Sequence, residues 1–213
     1  MIDLFQGIAK NDLPKLLECI HAREKSFKKD ELIIEEGGEV LEFGIMISGR
    51  ARSIKWDLSG RLIIITFIEK GDVMGVMVAA RENHTSPVSV QATEDAAVML
   101  IPFERLLARC AGNCPGHEQL LRNYISAVAD KGLELHERIN CLLKPTARDK
   151  ILTFLRRTAK EQQSGTFNVP MDRNAMAEYL NIERSSLSRE LSRMKKDGLL
   201  DYHKNRFILT AHM

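Results

Sequence analysis

Residues 172–196 read DRNAMAEYLNIERSSLSRELSRMKK, and this stretch decides the architecture of the C-terminal third of the chain. Asp172 is a favourable N-cap, so a short helix is predicted over residues 174–180. Residues 181–183 form a three-residue turn, and a second helix is predicted over residues 184–196. This order is typical of a helix-turn-helix, so we expect the stretch to bind double-stranded DNA.

The second of these helices is predicted to have one apolar and one polar face. Leu187, Leu191 and Met194 are spaced by four and three residues, so they share one side and pack inward. On the other side, serines keep the surface low and Arg189 offers the planar fork that pairs with guanine. The predicted DNA-binding residues of this helix are Arg184, Ser185, Ser186, Ser188, Arg189 and Arg193.

A strand, a turn and a second strand are predicted to follow, over residues 201–209. Gly198 is the expected C-terminal cap between the helix and this hairpin, which resembles the wing of a winged helix. Lys204 and Arg206 lie at its tip, within reach of backbone phosphates, and Lys204 joins the predicted DNA-binding set. Glu183 departs from the pattern, because serine or threonine would be better at the N-cap of the second helix.

The N-terminal half of the 213-residue chain has a different pattern of apolar and turn-forming residues. Short runs rich in Ile and Val alternate with turns that contain Gly and Asp, which predicts an antiparallel β-sandwich or barrel. A short helix is expected before the runs and another at residues 103–110, after them. The four runs lie at residues 31–35, 43–47, 61–68 and 96–101.

A long helix is predicted over about residues 117–143, where Lys144-Pro145 ends it. Its apolar residues recur in alternating steps of four and three over three heptads, which favours a dimeric coiled coil. The alternative is a helix that packs only on its own domain. Gly132 interrupts the seam at a cost of about 1 kcal/mol. The predicted dimerisation residues are Leu121, Ile125, Val128, Leu135, Ile139 and Leu142.

Charge divides the chain unevenly. Residues 145–213 carry 13 Lys and Arg against 8 Asp and Glu, a net +5, whereas residues 1–144 carry 18 against 21, a net −3. A basic C-terminal segment favours a polyanionic partner. We expect no membrane-spanning segment and no secretory signal, and four cysteines are too few for a disulfide scaffold, so a cytoplasmic location is expected.

Taken together, these features resemble the Crp/Fnr family of bacterial transcription regulators over nearly the whole chain. KGDVMG at residues 70–75 resembles the family's GD-x-x-G turn, and RSSLSR at residues 184–189 resembles its recognition-helix motif. The resemblance implies an α+β fold in three parts. These are an effector-sensing double-stranded β-helix, or jelly-roll-like β-roll, at residues 1–115, a dimerisation helix at 116–144 and a winged helix-turn-helix domain at 145–213.

The same resemblance implies a homodimer that binds a palindromic DNA operator, contacts RNA polymerase and is not an enzyme. An effector in the β-roll would reorient the two recognition helices. By position, Arg184 and Arg189 would read bases or phosphates, and Ser186 would contact a phosphate. Ser185 stands where many members have a base-reading glutamate, so the familiar operator sequence is not implied. No Walker loop, nucleophile elbow or HExxH motif points to an enzyme.

The resemblance places the effector pocket at Gly75, Val76, Thr85, Ser86 and Pro87. Members that bind cyclic AMP carry Gly-Glu and Arg-Ser-Ala at these positions. Val76 cannot bond a ribose hydroxyl, and Thr85 offers no charge to a cyclic phosphate, where a charged hydrogen bond contributes about 1.5–3 kcal/mol. We therefore expect a small-molecule effector other than cyclic AMP.

Two alternatives stay open. The first is a redox, iron–sulfur or haem sensor of the same architecture, although we expect the cysteines to be small buried apolar residues and assign no metal ligand. The second is a ligand- or metal-binding module whose C-terminal domain contacts protein rather than DNA. The candidate metal or haem ligands of the first alternative are Cys19, Cys110, Cys114, His84, His117 and His136.

Overall fold

The computed structural model describes residues 4–60, 62–108, 114 and 116–210. The chain divides into two units, one ending at Leu133 and the other beginning at Glu134. This division falls inside the long helix, whereas the predicted boundaries lie near the two ends of that helix. The boundaries at 115/116 and 144/145 therefore stay predictions.

The first unit is built mainly from short strands. Its elements are α1 (Leu13–Cys19), β1 (Arg23–Phe27), β2 (Leu32–Ile34), β3 (Glu42–Ser48), β4 (Ala51–Trp56), β5 (Leu62–Ile68), β6 (Val73–Met74), α2 (Val76–Ala79), β7 (Ser89–Ala92), β8 (Ala96–Pro102), α3 (Phe103–Leu107) and the first part of α4 (His117–Leu142). The four predicted apolar runs correspond to β2, β3, β5 and β8. Strands β1, β4, β6 and β7 were not predicted from the sequence.

The strands form two four-stranded sheets, in the orders β1-β8-β3-β6 and β2-β7-β4-β5. Neighbouring strands pair antiparallel. Met46 and Val98 of the first sheet and Val90 and Ala92 of the second belong to one buried cluster, so the sheets pack face to face. This arrangement confirms the predicted jelly-roll-like β-roll.

Gly49 makes the tight turn between β3 and β4, and it is one of the predicted glycine-containing turns between the apolar runs. Its φ of +80° lies in the left-handed region, and a Cβ there would come within 2.4 Å of the Asp95 carbonyl oxygen. Only glycine combines that backbone angle with so close an approach.

A second cluster of the first unit fastens the beginning of α4 to the β-roll. Leu120, Tyr124 and Ala127 lie on one side of α4 and are buried together with residues of α1, β3, α2 and α3. The Tyr124 hydroxyl donates to the Val76 carbonyl oxygen at 2.5 Å. This side of α4 is offset by one residue from the predicted dimerisation seam.

The second unit contains the end of α4 and a small winged helix-turn-helix. Its other elements are α5 (Ala147–Glu161), β9 (Thr166–Asn168), α6 (Arg173–Leu180), α7 (Arg184–Lys196), β10 (Leu200–His203) and β11 (Arg206–Leu209). The strands form one sheet in the order β10-β11-β9. Its core includes Ile151, Leu155, Leu180 and Phe207, each 0% exposed. The predicted order of helices and hairpin is confirmed.

None of the helices in the described ranges combines the length and the apolar composition that crossing a membrane requires.

Candidate nucleic-acid interface

Local sequence signals set the limits of the helix-turn-helix. The Asp172 carboxylate accepts from the Ala175 amide at 2.8 Å and so caps α6, as predicted. Asn181 ends α6 with a φ of +50°, a left-handed conformation that asparagine tolerates. Helix α7 then begins at Arg184, and Glu183 makes no side-chain capping bond to it.

The inner face of α7 anchors it in the domain. Leu187, Leu191 and Met194 are 0% exposed, and burying each such side chain contributes about 1.5–3 kcal/mol. The helix ends in a Schellman motif: the Leu199 amide donates to the Met194 carbonyl at 3.0 Å, and Gly198 has a φ of +73°. The C-terminal end and one face of α7 are thus held by the protein, which leaves the opposite face to a partner.

The outer face of α7 presents small hydroxyls and guanidinium groups to solvent. Ser188, Arg189, Ser192, Arg193 and Lys196 line one shallow open groove. Three of these were predicted to contact DNA. Ser192 and Lys196 were not included in the DNA-binding set, although the spacing 188, 189, 192, 193, 196 places them on the same face.

The other predicted DNA-binding residues surround this groove or lie on the hairpin. Arg184 and Ser185 are exposed in the first turn of α7, and Ser186 is half-buried. The Ser186 hydroxyl accepts from Arg189 Nη2 at 3.3 Å, which holds the Arg189 side chain along the helix. Lys204 is exposed in the turn between β10 and β11.

Arg148, which supports α7 from a neighbouring helix, was not predicted from the sequence. Arg148 of α5 donates from its Nε to Glu190 Oε1 at 2.6 Å. Its Nη2 lies 2.7 Å from Asp197 Oδ2. These hydrogen bonds raise the pKa of Arg148, and they join α5 to the middle and the end of α7. Glu190 also lies 3.6 Å from Arg193, so the same carboxylate orients one guanidinium of the groove.

The predicted effector residues do not form a comparable exposed set. Val76 is 2% exposed and lies in the core, while Thr85 and Pro87 are exposed. Ser86 is 3% exposed, and its hydroxyl donates to the Val88 carbonyl at 2.7 Å. Gly75 adopts a φ of +72° before α2.

Backbone hydrogen bonds join the predicted effector segment around residues 84–86 to residues 38–40. The Val40 amide donates to the His84 carbonyl at 2.9 Å, and the Ser86 amide donates to the Gly38 carbonyl at 2.9 Å. The Val40 side chain also lies next to Gly75. The effector assignment stays a prediction.

The predicted dimerisation seam is only partly exposed in the single chain. Ile125 and Ile139 are 62% and 55% exposed, whereas Leu121 and Val128 pack partly against the core of the first unit. Leu135 and Leu142 are half-buried. An exposed isoleucine at each of two a positions is consistent with the seam but is not by itself an interface.

The cysteines of the described residues differ in burial. Cys19 and Cys114 are half-buried, Cys141 is buried, and Cys110 lies outside the described residues. Burial raises the pKa of the Cys141 thiol. In the described ranges, no three His, Cys, Asp or Glu side chains are grouped so that they could hold a metal ion.

Comparison with known proteins assigns the family. Residues 24–113 match the family model of the cyclic nucleotide-binding domain, and residues 149–212 match that of the Crp-like helix-turn-helix domain. Transcriptional activator protein FnrA of Stutzerimonas stutzeri is 28% identical over 190 residues, which cover 87% of this chain and 75% of that protein. Transcriptional activator protein anr of Pseudomonas aeruginosa is 28% identical over 199 residues, 91% of this chain and 79% of that protein.

A solved structure agrees with these relatives. FixK2 from Bradyrhizobium japonicum has a TM-score of 0.69 and 25% identity, over 89% of this chain and 93% of that chain. The chain belongs to the Crp/Fnr family of bacterial transcription regulators. Its C-terminal domain is a DNA-binding domain of the Crp type rather than a protein-contact module, and its relatives are regulators rather than enzymes, as predicted.

Proposed function

We propose that this regulator acts in the cytoplasm as a homodimer on a two-fold symmetric operator, where it contacts RNA polymerase. A small-molecule effector other than cyclic AMP controls it. The observation that carries the proposal is the outer face of α7, where Ser188, Arg189 and Arg193 line an open groove while the inner face is fully buried.

Each part of that face has a distinct task in the major groove of DNA. Arg189 donates its fork to a guanine, because its side chain lies in the exposed centre of the face. Ser185, Ser188 and Ser192 are short enough to let the helix backbone approach the base edges. Arg193 and Lys196, one turn further on, contact the backbone phosphates that position the helix.

Arg189→Ala tests this assignment. Losing a bidentate base contact costs about 1–3 kcal/mol, so operator affinity should fall by about 5- to 150-fold while affinity for random duplex changes little. Arg156→Ala is the matched control, because Arg156 is exposed on α5, outside the α7 face. Equal losses in the two variants, measured by fluorescence anisotropy at fixed salt, would remove Arg189 from the reading set.

The dimer rests on the seam of α4. Ile125 and Ile139 are more than half exposed at a positions of the heptad pattern, where a second copy of the helix would cover them. Ile139→Glu should therefore yield monomers in analytical ultracentrifugation. Leu133→Glu is the control, since Leu133 is 64% exposed but lies at a b position. Dissociation by both variants, or by neither, would argue against this seam.

The effector proposal rests on two observations. The match of residues 24–113 to the cyclic nucleotide-binding domain supports a ligand site in the β-roll. The burial of Val76 and the uncharged side chain of Thr85 support a ligand other than cyclic AMP. In calorimetry, cyclic AMP should give no saturable heat, and anaerobically purified protein should be colourless and free of metal. Saturable cyclic AMP binding, or a visible absorption band with bound iron, would overturn this part.

A further inference from the structure

The turn of the wing adopts a conformation that needs outside support. His203 pairs with Arg206, so Lys204 and Asn205 alone connect β10 to β11. Lys204 has a φ of +51°, in the left-handed region that lysine rarely adopts. Such a conformation persists where neighbouring groups hold it in place.

Both carbonyl groups of this turn are held from outside the hairpin. The Lys204 carbonyl accepts from Arg173 Nη2 at 2.5 Å, and the Asn205 carbonyl accepts from the Val169 amide at 2.9 Å. Arg173 is the first residue of α6, and Val169 directly follows β9. The turn is therefore tied to the start of the helix-turn-helix by one side chain and to the adjoining chain by one backbone bond.

The Arg173 guanidinium is directed into the wing rather than toward solvent. Its Cζ lies 4.9 Å from the centre of the Phe207 ring and 5.2 Å from that of Tyr202. These two aromatic residues are cross-strand partners, with ring centres 5.8 Å apart. Desolvation lowers the pKa of Arg173, as expected for a guanidinium partly withdrawn from water.

We propose that Arg173 is a positioning residue of the DNA interface, which sets the wing so that Lys204 and Arg206 reach backbone phosphates beside the groove occupied by α7. This inference rests on the proposed function, because it needs the wing to contact DNA. Lys204 and Arg206 are both exposed, as such contacts require. Arginine suits the role because its planar group stacks on aromatic rings and donates in its own plane at the same time.

A double-mutant cycle separates positioning from direct contact. Each lost phosphate contact lowers the salt slope of DNA binding by about 0.9, which amounts to about eightfold in affinity at 0.1 M salt. Arg173→Met should cause such a loss in the otherwise unchanged protein. In a background that carries Lys204→Gln and Arg206→Gln, the same change should cause no further loss in slope or affinity.

Two additional readouts protect the test against simple misfolding. Hydrogen exchange of the Val169 amide should be faster in Arg173→Met than in the wild type, because that amide bonds to the loosened turn. The ratio of operator affinity to random-duplex affinity should equal that of the wild type, because Arg189 is unchanged. Arg173→Lys keeps the charge but not the planar group, so it should behave like Arg173→Met.

Three results would overturn the proposal. In the first, the salt slope of DNA binding falls by a further amount of about 0.9 when Arg173→Met is added to the variant that carries Lys204→Gln and Arg206→Gln. Arg173 would then itself contact a phosphate. Unchanged slope and Val169 exchange in Arg173→Met would show that the wing needs no such support. An unchanged slope in the double Gln variant, alongside a large effect of Arg189→Ala, would remove the wing from the interface and leave the proposed function standing.

Discussion

The outer face of α7 and the segments expected to hold the effector use similar residues in opposite ways. On α7, Ser188, Arg189 and Arg193 point into an open groove. In the β-roll, the Ser86 hydroxyl bonds to Val88, and Val76 lies in the core. Small polar residues therefore indicate a binding surface only where the fold places them at an open surface, which the residue types alone do not reveal.

The largest loss of stability should come from placing a charged side chain at Val76, the buried apolar residue of the predicted effector pocket. Val76→Glu places a carboxylate in an apolar core, and an uncompensated buried charge costs about 3–5 kcal/mol. Met77→Glu is the control, since Met77 is the next residue and is 40% exposed. Urea unfolding measures both. A stable Val76→Glu protein would place this side chain in a solvated pocket and erase the contrast with α7.

Helix α7 allows the same comparison between its two faces. Leu191→Ala should destabilise the second unit by about 2–5 kcal/mol, because it opens a cavity at a side chain that is 0% exposed. The adjacent change, Ser192→Ala, should alter stability by less than about 0.5 kcal/mol but weaken DNA binding. If Ser192→Ala left operator affinity unchanged, Ser192 would not belong to the surface that contacts DNA.

Tyr124 tests the link between α4 and the effector segment. Tyr124→Phe leaves the buried Val76 carbonyl without its donor and should cost about 1–3 kcal/mol in chemical denaturation. Burial raises the pKa of the Tyr124 phenol. Its contribution is therefore complete below the ordinary phenol value of about 10 and is lost as pH rises above it. The stability difference between the wild type and Tyr124→Phe should shrink above that pH; a constant difference would contradict this account.

The smallest effect concerns the weak start of α7. Glu183 occupies the N-cap without a side-chain bond, so Glu183→Ser should stabilise the domain by about 0.5 kcal/mol. The gain is small because a carboxylate at this end already interacts favourably with the helix dipole. Differential scanning calorimetry of the two proteins measures it, and a lower melting temperature would show that Glu183 has a role that its contacts do not reveal.

Elements with strong local patterns were predicted well, and elements without them were missed. The runs that became β3, β5 and β8 are continuous apolar segments. By contrast, β1 reads REKSF with only Phe27 buried, and β6 has two residues. Such strands exist because their backbone groups pair with longer neighbours, for example β1 with β8. Pairing of this kind depends on the partner strand and leaves little trace in the strand's own composition.

In the DNA-binding domain, local sequence signals were enough to predict the order of the elements and the two faces of α7. Helix caps and apolar spacing act within a few residues, so Asp172, Leu187 and Gly198 carry that information locally. Which polar side chains bond within the protein depends instead on contacts between segments that are distant in the sequence. Arg173 reaches the carbonyl of Lys204, and Arg148 reaches Glu190, 42 residues away. These contacts depend on how distant segments pack. Because leaving a buried polar group unpaired costs free energy, such groups form hydrogen bonds within the protein.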